Sequence, residues 1–126
     1  MRKIIKMISV FLIGCIALVY VGMLLSVMPV LDDARNVFTN VSTSDNIYCL
    51  KRYDTSRYGP NVRRKVTIFP LLSFHDFQQG YVYVWYSNEV LDKDDDLLNG
   101  SYGIISRWKI KKIENEWKVI DITEDP

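Results

Sequence analysis

The chain has 126 residues, with sixteen Lys and Arg against fifteen Asp and Glu, and is 48% apolar and 13% aromatic. That length leaves no room for two ordinary domains, and the apolar and aromatic content excludes a disordered chain. Two Cys and one His build neither a disulfide scaffold nor a four-ligand His/Cys zinc site, and the near-neutral charge argues against a general nucleic-acid binder.

Arg2, Lys3 and Lys6 open the chain, and no charged residue follows from Met7 to Leu31. A helix over residues 7–28 would be about 33 Å long, close to the ~30 Å thickness of a bilayer's hydrocarbon core. Residues 1–31 are therefore expected to form a basic cytoplasmic start and a single-pass signal anchor, with the lipid bilayer as its partner. Two other readings stay open. A cleaved secretory signal has a shorter apolar region and a small residue before the cut, whereas Ser26-Val27-Met28 ends in Met. A lipoprotein signal is matched by Leu12-Ile13-Gly14-Cys15, but the mature chain would then begin with an apolar run. The basic flank favours a cytoplasmic N-terminus, which places residues 32–126 outside the cell membrane. Cys49 is then the sole thiol of that part and has no partner within it.

Residues 32–126 hold all fifteen acidic residues, thirteen of the basic ones and fourteen of the sixteen aromatics, enough for one small core. Asp32 or Asp33 can cap a helix whose stripe is Ala34, Val37, Phe38 and Val41. Residues 42–46 read as a break, 46–53 as either a short helix or a strand, and 54–61 as a loop. Arg63 to Phe69 reads as a strand interrupted by Pro70, which points to an edge or a bend, with Leu71 to Phe74 as its continuation. His75 to Gly80 reads as a turn.

Tyr81 to Leu91 is the strongest strand, rich in β-branched and aromatic residues. Val82, Val84 and Tyr86 point one way, and Tyr81, Tyr83 and Trp85 the other. Both faces are apolar at its start, so each is expected to be covered. Asp92 to Ser101 reads as a long polar connection. Tyr102 to Ile113 and Trp117 to Ile122 read as a hairpin with a three-residue loop at Glu114-Asn115-Glu116. Its register sets Ile110 against Ile120, Trp108 against Ile122 and Lys109 against Asp121. The expected fold is α+β: a transmembrane helix, then a short helix packed on a mostly antiparallel, curved sheet of about four strands.

Residues 106–110 (SRWKI), Trp117-Lys118-Val119, Ile122, Glu124 and Pro126, with Gly80-Tyr81-Val82 and Gly100-Ser101, resemble the last strands of the nuclear transport factor two-like superfamily, a cystatin-like α+β roll. The resemblance covers residues 80–126, and the chain looks like the single-pass members found in Gram-positive bacteria. It implies a curved sheet around a cavity. The superfamily includes isomerases, dehydratases and binding-only domains, so it implies no particular chemistry.

Candidate sites are few. His75-Asp76 has the composition of a base and its orienting partner, but no nucleophile lies near in sequence, and a surface turn is the simpler expectation. Asp92, Asp94 and Asp96 have the spacing of a calcium loop, yet Leu97 and Gly103 stand where Gly and Glu are required. Arg63-Arg64-Lys65 and Lys109-Lys111-Lys112 are basic clusters that read as solvated strand faces, with anionic lipid or wall polymer as the alternative. Asn40-Val41-Ser42 and Asn99-Gly100-Ser101 match glycosylation acceptors, which carry no weight in a bacterial host. Tyr81, Tyr83, Trp85 and Trp108 are the candidate cavity or binding surface, with core packing as the ordinary reading. No catalytic residue, cofactor or metal ligand is assigned. The expectation is an extracytoplasmic binding domain for an envelope protein or a small apolar ligand. A small isomerase-like enzyme and an accessory subunit of an envelope complex are the alternatives.

Overall fold

A computed structural model describes residues 1–40 and 48–124. Helix α1 spans Arg2–Ser26 and α2 spans Met28–Phe38. Two 3-10 turns follow at Tyr48–Tyr53 and Ser56–Tyr58. Strands β1 (Arg63–His75), β2 (Gln79–Leu91), β3 (Leu97–Ile113) and β4 (Glu116–Glu124) then form one antiparallel sheet in the order β1-β2-β3-β4. The fold is α+β: a long apolar helix, a short helix and a four-stranded antiparallel sheet. Val41, residues 42–46 and the Asn40-Val41-Ser42 acceptor fall wholly or partly outside the described residues, as does Pro126.

Helix α1 has a mean hydropathy of 2.6 over its most apolar window, none of which is buried against the rest of the chain. Its 25 residues make about 37 Å of helix. It is long and apolar enough to cross a bilayer, as an anchor or a signal sequence would.

The charge-free run to Leu31 serves two environments. The apolar residues of α1 are largely exposed, but Val27, Val30 and Leu31 are buried in the domain core. The expected division after Leu31 falls inside α2. That helix begins at Met28 with Pro29 in its first turn, where the missing N–H costs little. Asp32 and Asp33 lie within it and cap nothing. Its stripe of Val30, Leu31, Ala34, Val37 and Phe38 packs on one face of the sheet, against Ile68, Val82, Val84, Tyr86, Trp108, Ile110 and Val119.

The strands extend further than sequence alternation indicates. Strand β1 continues through Pro70 with a register shift between Pro70 and Leu72, which its place at the sheet edge permits. The turn after it is shorter than expected, because His75 still pairs with Gly80. A side chain at Gly80 would lie 2.2 Å from the carbonyl oxygen of Phe74, so the close approach requires glycine. The connection after β2 is also short. Asp92 Oδ1 accepts hydrogen bonds from the backbone N–H groups of Asp94 and Asp96, and β3 begins already at Leu97.

The β3–β4 hairpin holds two deviations that cancel. Its loop has two residues, Glu114 and Asn115, both at positive φ (55° and 65°), the signature of a type I′ turn. Ile110 therefore pairs with Val119 instead of Ile120. A bulge at Ile120 then restores the expected pairs, Lys109 with Asp121 and Trp108 with Ile122.

Leu31→Ala should destabilise the protein by about 2–5 kcal/mol through the cavity it leaves, read from denaturant unfolding in detergent. A chain starting at Asp32 loses three core side chains and should lack a cooperative unfolding transition, whereas one starting at Met23 should keep it.

Candidate functional site

Three places bring chemistry-bearing side chains together. On the helix-covered side, the Tyr53 hydroxyl donates to Glu124 Oε1 and accepts from Trp108 Nε1 at 3.1 Å and from Ser106 Oγ at 3.3 Å. The Tyr86 hydroxyl lies 3.0 and 3.1 Å from the two Glu124 oxygens, and Arg52 Nη2 is 3.7 Å from Oε2. Burial, with the carboxylate beside them, pushes the Tyr53 and Tyr86 hydroxyls well above the usual phenol range. These groups edge a polar cavity of about 160 Å³ that Arg57, Asn88, Asn99 and Ser101 also line. Glu124 faces this space at the end of β4, but two phenols and a guanidinium already engage its oxygens. The arrangement ties the 3-10 turn at residues 48–53 to the end of the sheet, and each carboxylate oxygen already accepts from a phenol.

The second place joins α1 to β1. Ser26 Oγ lies 2.6 Å from His75 Nε2, the spacing of a nucleophile and its base. The hydrogen-bond partners decide against that role. Ser26 donates its one proton to the Met23 carbonyl at 2.8 Å, and His75 Nδ1 accepts from the Phe77 N–H at 3.0 Å. His75 is therefore the Nε2–H tautomer and donates to Ser26, so it holds no lone pair with which to take the serine proton. Asp76 does not orient it. Its carboxylate caps the turn, accepting from the N–H groups of Gln78 and Gln79, and these bonds lower its pKa. His75 itself is buried, the last residue of β1 rather than part of a surface turn. Burial and the nearby Lys112 lower its pKa, and Asp76 opposes them.

The third place is the outer face of the sheet. The sequence-predicted surface divides here. Trp108 is completely buried under α2, on the face of Val82 and Ile110. Tyr81, Tyr83 and Trp85 lie together on the opposite face, as their odd positions in β2 require. No described element covers that face, contrary to the expectation that both would be covered. Trp85 stacks on Phe69 at 5.0 Å and 11°, and pairs across the sheet with Ile105. Phe69 is 49% exposed and Ile105 56%. Alongside this strip, Tyr83, Ile105, Arg107 and Thr123 form a shallow concavity of about 200 Å³, and the Arg107 guanidinium sits over the Tyr81 ring at 5.3 Å.

Members of the basic and acidic clusters bond within the fold. Arg64 donates to Thr55 Oγ1, Thr55 O and Gly59 O, and Arg63 pairs with Asp95 at 2.7 Å. The Glu124 network was not foreseen from the sequence. Its available signal was a carboxylate in phase with Ile122, on the core side of β4.

Two outcomes test these assignments. Tyr53→Phe removes the acceptor for Trp108 Nε1 and Ser106, and should cost about 1–3 kcal/mol of stability, measured by chemical denaturation. For His75 the folded state favours the neutral ring, so its stabilisation is complete above the unfolded pKa of about 6.5 and declines as pH falls below it. The melting temperature in detergent should drop between about pH 7 and 5.5, and His75→Gln should flatten that slope.

Comparison with protein-family models, curated proteins and solved structures returns no match, so the chain's own geometry carries the functional reading.

Proposed function

We propose that the protein is a membrane-anchored, extracytoplasmic binding module that presents the outer face of its sheet to a partner in the cell envelope. Helix α1 is the single-pass anchor, with its basic end in the cytoplasm, and the α+β domain is a small member of the nuclear transport factor two-like group. The observation that carries the binding role is the uncovered strip of Phe69, Trp85 and Ile105 across three strands of a domain whose other face is buried under α2. Contiguous apolar surface bordered by polar groups is characteristic of interaction sites, and aromatic and Arg side chains are the usual anchors of such sites.

Supporting the absence of a catalytic role, Ser26, His75 and Glu124 each have their reactive atoms engaged in structural hydrogen bonds. An isomerase-like reading would need Glu124 to exchange protons with a substrate in the adjoining polar cavity. Its two phenol partners and Arg52 disfavour this.

The test is photo-crosslinking in intact cells from residues introduced at Trp85 and Ile105, with Lys51 as a distant exposed control. A discrete protein adduct from the first two positions and none from the third is expected. Ile105→Asp should abolish that adduct at Trp85 while changing stability by no more than ~0.5 kcal/mol, as for other exposed sites. Equal adducts from all three positions, or none from any, would remove the basis for a sheet-face partner.

A further inference from the structure

We infer that the end of β1 and the β1–β2 turn rest in the interfacial layer of the leaflet from which α1 emerges, so that the domain touches lipid at a second place beside its anchor. This rests on the reading of α1 as a membrane span.

Depth is the first argument. The Tyr20 hydroxyl donates to the Leu71 carbonyl at 2.6 Å, and Ser26 meets His75 at 2.6 Å. Residues 71–75 therefore run beside the last turns of α1. A span that starts after Lys6 and crosses ~30 Å ends near Ser26. Tyr20 then lies about 9 Å inside that limit, and so does the strand bonded to it. Amphipathic segments that lie on membranes sink to a similar depth, roughly 5–10 Å.

Composition is the second. Strand β1 is an edge strand, and edges in water are usually protected by charge. From Val66 to His75 this edge has none. Leu71, Leu72, Phe74 and Phe77 are 42%, 41%, 47% and 62% exposed, and the apolar surface they form continues that of α1.

Backbone chemistry is the third. Leu71 sits at the register shift, outside the ladder to β2. A carbonyl without a partner is costly where water is scarce. Tyr20 satisfies it, and the same bond satisfies a phenol in the charge-free part of the helix. The nearby cations Lys109, Lys111 and Lys112 share this end of the domain with Asp76, Glu114 and Glu116. The contact is thus apolar in character and indifferent to anionic lipid.

The test uses the full chain with Cys15 and Cys49 replaced by Ala and a single cysteine at Leu72, Phe74 or Phe77, or at Asp94 as control. Each carries an environment-sensitive fluorophore and is reconstituted into phosphatidylcholine vesicles, with or without phosphatidylglycerol. Labels at 72, 74 and 77 should be quenched by nitroxide-bearing lipids, and several-fold less than the label at 94 by aqueous iodide, in both lipid mixtures. Phe77→Cys, in the exposed turn, keeps the test available if a strand position fails to fold. Iodide quenching equal to that at 94 overturns the inference in favour of water. Protection from both quenchers overturns it in favour of a protein cover, such as a second copy paired along β1. A full chain that carbonate strips from the vesicles overturns the anchor itself, an outcome distinct from retention with labels open to iodide.

Discussion

A four-stranded sheet has two faces, and among the described residues the eleven-residue helix α2 and the 3-10 turn at residues 48–53 cover only one of them. Helix α2 packs on the face carrying Val82, Val84, Trp108 and Ile110 and joins their buried core. The other face keeps Trp85, Phe69 and Ile105 partly open. Every functional feature descends from that asymmetry. The covered side supplies stability, and the uncovered side supplies surface.

Polar groups reinforce the covered side where apolar packing ends. Glu124 draws Tyr53 and Tyr86 together at the end of the sheet, and Trp108 reaches the same hydroxyl from within the core. The aromatic rings around it pack face and edge, with Phe38 on Tyr53 at 4.5 Å. A carboxylate so engaged fixes the position of the 3-10 turn at residues 48–53 and is poorly placed to exchange protons with a substrate. The junction of α1 and β1 follows the same logic. Ser26 and His75 have the separation of a catalytic pair, but the Phe77 N–H binds the lone pair of Nδ1 and so places the ring proton on Nε2, the nitrogen that catalysis would need bare. Distance alone would have misled there, whereas the count of donors and acceptors decides.

Strand β1 belongs to both worlds. Its first residues are basic and engaged within the domain, through Arg63 to Asp95 and Arg64 to Thr55. Its last ten residues carry no charge and lie beside the apolar helix. A strand of that composition at a sheet edge is an aggregation hazard in water. Beside α1, the same composition continues the apolar surface of that helix.

Much of this was legible in the residues themselves. The charge-free run after Lys6 fixes α1, period-two alternation in Tyr81–Tyr86 fixes β2 and its two faces, and the pairing of Trp108 with Ile122 follows from matching apolar positions across a hairpin. These are local patterns, set by the geometry of helix and strand. Tertiary structure decided that the apolar run turns from exposed helix to buried core at Val27, which face of β2 α2 would cover, and that Trp108 would part from Tyr81, Tyr83 and Trp85. It also decided the partners of Glu124 and His75, which lie 71 residues from Tyr53 and 49 from Ser26. A residue's period shows which way its side chain points along an element. What it meets there depends on segments far away in the chain, and periodicity carries no record of them.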